Sequence, residues 1–172
     1  MKKIVIVLIV MIISLVLIFC VTYSSEVLTY NYENAHFNIK YDSTWKVQNT
    51  QRGLKLKHKK TNSVLSIQSK LLENNYLNTD LKDIIKDIIY SVEEQNKDYK
   101  LINMQIGPTD KYDSYSYLYE KEMKQVLVNI YKKDTKLVIV YYEADSNCYD
   151  IVLDSVDTIL NSLDIVTGEK VN

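Results

Sequence analysis

Proline and glycine are nearly missing from this chain, with one proline and three glycines in 172 residues. A single Pro108 leaves no proline-rich linker, and there is no low-complexity stretch or internal repeat to replace one. Gly53, Gly107 and Gly168 stand isolated, so no glycine-rich phosphate loop is present. Cysteine is just as scarce. Cys20 lies inside an apolar run and Cys148 far from it, so the two cannot bridge, and a disulfide framework is excluded. Cys148 reads as a small, partly buried thiol near a helix start. His36 and His58 are the only histidines. They sit far apart with no ligand cluster beside them, so metal spacing is absent. Neither is placed to act as base for a cysteine nucleophile. Charge of one sign is also lacking, since 21 basic residues meet 22 acidic ones. That balance argues against a nucleic-acid partner.

What is present begins with IVIVLIVMIISLVLIFCV, Ile4 to Val21, an uncharged run behind Lys2 and Lys3. As a helix it would rise about 27 Å, close to the roughly 30 Å of a bilayer's hydrocarbon core. The two lysines place the start in the cytoplasm and the rest of the chain outside. An uncleaved anchor over residues 1–23 is the leading expectation, because the run exceeds a signal peptide's usual apolar region. A signal peptide cut near Ser24, giving a secreted protein, and a lipoprotein acylated at Cys20 are the alternatives. Phe19 is bulky for the residue before an acylated cysteine. The abundance of Asn, Lys, Ile and Tyr, with little Gly, Pro or Ala, reads as a low-GC bacterial chain.

Residues 24–34 read as a tether, 35–165 as the folded domain and 166–172 as a tail. Phe37, Ile39 and Tyr41 alternate as in a strand with one packed face. Asp42, Ser43 and Thr44 then turn the chain before Trp45 and Val47. Alternation continues from Arg52 to Lys59 and from Ser63 to Leu71, with a hairpin turn between them. The period then changes. Leu81, Ile84, Ile85, Ile88, Ile89 and Val92 mark one face of a helix over 79–95, capped by Asn78 or Thr79. Strands resume at 99–106, across a tyrosine-rich stretch at 112–119, and at 125–131 and 136–142. The last is apolar on both faces, as a covered central strand would be. A second helix over 146–163 closes the domain, with Asp150, Asp154 and Asp157 on its wet face. Hairpin-length connections imply an antiparallel sheet, so the fold class is α+β, an antiparallel β-sheet with helices packed on it.

The segment Phe37-Asn38-Ile39-Lys40-Tyr41-Asp42-Ser43-Thr44-Trp45-Lys46-Val47 resembles the opening of PsbP-like domains of the Mog/PsbP α/β/α-sandwich group. Bacterial members often read Tyr-Pro-Ser-x-Trp there, and this chain carries Asp42 in place of the proline. The resemblance spans residues 30–165 through the order of strands and helices. It implies a structural tryptophan, with Trp45 packing the sheet edge against a helix, and it implies binding partners.

Two surfaces stand out as contact candidates. Arg52, Lys55, Lys57, Lys59 and Lys60 form a basic strand suited to anionic lipid or wall polymer, or to guarding a sheet edge. Tyr112, Tyr115, Tyr117 and Tyr119 form a ladder suited to a partner surface, or to cross-strand packing under a helix. No catalytic motif and no cofactor site is legible. The expected function is a non-catalytic extracytoplasmic binding or scaffold module at the bacterial cell surface, attached to the membrane by its N-terminal helix and meeting a protein partner. The alternative is a carrier or sensor of a small apolar ligand in a cavity between sheet and helices.

Overall fold

A computed structural model describes residues 26–32, 35–50, 53–72, 76, 79–86, 100–108 and 111–166. The membrane segment expected at residues 1–23 lies outside them. Among the described residues no helix is long and apolar enough to cross a membrane.

The alternating stretches form strands, and each pairs antiparallel with its neighbours. Strands β3 (Trp45–Thr50), β4 (Gly53–His58) and β5 (Val64–Leu71) make a first meander. Strands β6 (Lys100–Pro108), β7 (Asp113–Lys121), β8 (Lys124–Lys133) and β9 (Lys136–Asp145) make a second. They join edge to edge through β5 and β9, giving a seven-stranded sheet ordered β3-β4-β5-β9-β8-β7-β6. The strand that is apolar on both faces, β9, is the central one, as its composition requires. The first meander holds a tight spot at Gly53. A Cβ there would lie 2.1 Å from the carbonyl oxygen of Ile67, so only glycine fits.

A smaller sheet crosses the inner face of the large one. Its strands are β1 (Glu26–Tyr32), β2 (Ala35–Tyr41) and β10 (Asp164–Val166), ordered β1-β2-β10. Two sequence expectations change here. Most of the stretch read as a tether is β1, paired to β2 from Glu26↔Tyr41 to Tyr32↔Ala35. The residues after the last helix return as β10 against Asn38, Phe37 and His36 of β2. β10 has three residues and is defined by long-range pairing to β2, whereas β1 pairs with β2 as its immediate neighbour in sequence.

The closing helix runs Tyr149–Ser162 and turns Tyr149, Val152, Val156 and Ile159 inward. Those residues join Phe37, Ile39, Trp45, Leu54, Leu56, Leu65, Ile67, Val138, Val140 and Tyr142 in the inner core. The opposite, outer face carries a second core. There Leu81 and Ile85 of the helical residues 81–86 cover Tyr115, Tyr117, Val126, Val128, Ile130 and Leu137. The cap of those helical residues is Asp80 rather than Asn78 or Thr79. Its carboxylate accepts from the backbone N–H of Lys82 at 3.0 Å, and its carbonyl accepts from Ile84 at 3.2 Å. The rest of the helix expected over 79–95 lies outside the described residues.

The β7–β8 turn holds strained backbone. Lys121 pairs with Lys124, so Glu122 and Met123 form a two-residue hairpin loop. Both have positive φ, 49° and 62°. Such a turn favours Asn-Gly, because side chains with a Cβ pay about 1–2 kcal/mol in that region. Met123 is also 83% exposed, so its side chain recovers little by packing. Met123→Gly should therefore raise stability by about 1 kcal/mol, read as a higher urea midpoint. A lower midpoint would show that the methionine makes a stabilising contact.

Candidate functional site

Strand register sorts the basic residues. Lys46 stands opposite Lys57, and Lys55 opposite Gln48 and Ser66. Ser66 in turn faces Tyr141, and Val64 faces Glu143. All of these point to the outer face, on the half of the sheet beyond Leu81 and Ile85. Lys46, Gln48, Lys57 and Gln68 are exposed and Lys55 is half-buried. Sequence reading found Lys55 and Lys57 but missed Lys46, which only cross-strand pairing brings beside them. Lys59 and Lys60 lie apart, in the β4–β5 turn at the end of the sheet. The Lys59 ammonium donates to the Ser43 carbonyl at 2.5 Å. Arg52 lies outside the described residues. Across the fold, the closing helix carries Asp150, Asp154 and Asp157 on its exposed side and no basic residue. The domain is therefore basic on one open sheet face and acidic on the helix that covers the other.

The tyrosine ladder follows its second reading, packing under a helix. Tyr115 and Tyr117 are 4% and 1% exposed and belong to the outer core. Tyr119 is half-buried and stacks on Tyr117 with ring centroids 6.0 Å apart. Burial, followed by the neighbouring Tyr141 and Glu143, pushes its phenol up. The alternation places these rings under the helical residues 81–86, so they fill a core and offer no open partner surface. Tyr112 is a latch on the other face. Its hydroxyl accepts from the backbone N–H of Ile165 at 2.9 Å and reaches the Leu163 carbonyl at 3.3 Å. Lys133 and Lys136 donate to the Ile165 and Val166 carbonyls at 2.7 and 2.6 Å. Together these groups hold β10 to the large sheet.

The Asp42–Trp45 corner joins the sheet edge to the closing helix. Asp42 Oδ1 accepts from the backbone N–H of Thr44 at 2.7 Å and from its hydroxyl. The carbonyl of Asp42 accepts from Trp45 N–H at 3.3 Å, closing the turn. An aspartate builds this turn with its side chain, where a proline would build it by fixing φ. Trp45 is 3% exposed, and its indole N–H donates to Ser155 Oγ at 2.9 Å. Ser155 Oγ also donates to Asp42 Oδ2 at 3.4 Å. His58 meets the Trp45 ring edge-on, 5.2 Å between centroids, and its Nδ1 pairs with the Thr61 hydroxyl at 2.9 Å. Burial lowers the His58 pKa, with Asp42 opposing and Lys60 assisting.

Two recesses flank the closing helix. One, of about 460 Å³, lies between the helix and β2 and is lined by Lys40, Asp42, Ile151, Asp154, Ser155 and Thr158 among others. The other, about 380 Å³, lies over the β7–β8 pair and is lined by Ser116, Leu127, Asn129, Tyr131, Asp157, Leu160 and Asn161. Sequence reading missed it, although Asn129 is the one amide in the apolar run VLVNIY. Among the described residues no group of His, Cys, Asp or Glu is arranged to hold a metal ion.

No family model and no curated relative matches the sequence. Solved structures do match. The cyanobacterial PsbP of Synechocystis sp. PCC 6803 superposes with a TM-score of 0.64 at 15% identity, over 83% of this chain and 94% of that one. This chain has a PsbP-like fold. LpqN of Mycobacterium tuberculosis, a protein involved in cell envelope biogenesis, gives a TM-score of 0.58 at 8% identity, over 83% and 92% of the two chains. A Pseudomonas aeruginosa protein of unknown function gives 0.55 at 10% identity, over 84% and 98%. Identities this low carry the fold alone. Within it, the tryptophan expected to pack the sheet edge against a helix does so.

Trp45→Ala should cost about 3–5 kcal/mol of stability. Ser155→Ala should cost about 1–2 kcal/mol, because it leaves a buried indole N–H without its acceptor. Chemical denaturation of both variants checks the ranking. Full stability in Trp45→Ala would reassign the residue to an interface.

Proposed function

We propose that this protein is a non-catalytic extracytoplasmic module of the cell envelope that lays its open basic sheet face against an anionic surface. The observation that carries the reading is the sorting of charge by register. Lys46, Lys55 and Lys57 gather on one face, while the helix covering the other face bears only acidic charge. A domain polarised in this way orients itself near a negative surface, with lysines toward it and aspartates away. Each basic residue held near such a surface contributes about 1 kcal/mol, screened over a Debye length. The apolar run at Ile4 to Val21 supports placement outside the cytoplasm, and because β1 begins at Glu26 the domain would stay close to the membrane. The fold it shares with a mycobacterial envelope protein is consistent with that placement.

The combined variant Lys46→Glu, Lys55→Glu and Lys57→Glu tests the reading in a chain starting at residue 24, which keeps β1. The variant should retain its circular dichroism spectrum. It should lose binding to phosphatidylglycerol vesicles by about a hundredfold or more, given roughly 1 kcal/mol per lysine. High salt should weaken the parent in the same direction. A parent that ignores such vesicles, or a variant that binds equally well, would leave the lysines as guards of the sheet.

The attachment is tested separately by fractionation with intact mass measurement. Met1 retained in the membrane fraction is expected. A soluble species beginning near Ser25 would make the protein secreted, and a diacylglyceryl mass on Cys20 would make it a lipoprotein.

A further inference from the structure

We propose that the recess between the β7–β8 pair and the closing helix binds a small, neutral, polyhydroxylated ligand through Asn129, Ser116, Asp157 and Asn161. Asn129 is the floor of the recess and is 5% exposed. The Ser116 hydroxyl donates to its Oδ1, while its Nδ2 has no hydrogen-bond partner. Turning the amide over would bring Nδ2 to Ser116 and leave Oδ1 unpartnered instead. A buried amide left half-satisfied is costly, and an apolar residue of similar size would avoid the cost.

The surroundings narrow the guest. An ammonium has no acceptor for Nδ2, and an anion would meet the Asp157 carboxylate. Asp157 already sits where burial and Asp154 push its pKa up, so added negative charge is disfavoured. Nδ2 has under 1 Å² of exposed surface, so a guest reaches it through a small shift of the amide; a hydroxyl then both accepts from Nδ2 and donates to a carboxylate, and it serves either orientation of the amide. Asp157 and Asn161 lie one helical turn apart at the rim, placed to take two hydroxyls of one molecule. Leu127, Leu160 and the Tyr131 ring offer apolar surface to a ring's C–H face. About 380 Å³ is within the range of small-molecule sites.

The test is a titration of the full chain, in zwitterionic detergent micelles, with D-glucose and with myo-inositol, followed by side-chain amide resonances. Saturable shifts of the Asn129 and Asn161 amide pairs are expected with at least one of the two. Asn129→Leu should abolish binding while leaving Tm unchanged or raised, and Asn161→Ala should weaken it several-fold. Absence of any saturable shift would leave the recess to water and overturn the proposal. So would binding that survives in Asn129→Leu. If that variant fails to fold, Asn161→Ala decides, and unchanged affinity in it overturns the proposal.

Discussion

The pairing of β5 with β9 is the constraint on which the rest depends. It joins two meanders that come from opposite ends of a crossover, over a register running from Val64↔Glu143 to Leu71↔Lys136. Because side chains alternate with a period of two, that register also assigns every face. Val138, Val140, Tyr142 and Ala144 enter the inner core, and Leu137, Ile139 and Tyr141 enter or pack on the outer one. A slip of one residue would exchange the two sets. It would also turn the lysines of β4 away from Tyr141 and Glu143.

Both proposed contact surfaces follow from how the two faces are covered. On the inner face the closing helix and the small sheet bury β3, β4, β5 and β9, and Trp45 fastens that cover through Ser155. The cover leaves the recess over β7 and β8, where polar Ser116 and Asn129 replace the apolar pattern. On the outer face, among the described residues, residues 81–86 cover β7 and β8, while Lys46, Gln48, Lys57 and Gln68 of β3, β4 and β5 are exposed. Lysines there keep an exposed sheet soluble and give it a sign of charge.

Much of this was legible before any coordinates. Alternation in Phe37–Tyr41, Leu54–His58 and Val126–Ile130 marked true strands, and the run VIVYYE marked the central one. The closing helix showed its buried stripe and its aspartates, and the Asp42–Trp45 motif pointed to the PsbP-like arrangement. The misses share one cause, which is that cross-strand pairing and the covering of a face leave little trace in any single stretch of sequence. β1 and β10 exist because β2 offers two edges. Lys46 joins Lys57 only through register, and Tyr115 and Tyr117 are covered by a segment distant in sequence. The strand pattern of the tyrosines was plain, but which face would be covered was not. Asn129 offered a weak signal, the one amide in VLVNIY.

The orientation of the domain on its surface is the claim that most needs a direct measurement. Lysine-selective acylation read by mass spectrometry, with and without anionic vesicles, reports it residue by residue. Vesicles should protect Lys46, Lys55 and Lys57 and leave exposed Lys40 and Lys100, which lie off that face, labelled as before. Neutral vesicles should protect none of them. Equal labelling of all five, or protection confined to Lys40 and Lys100, would contradict a basic sheet face turned toward the surface.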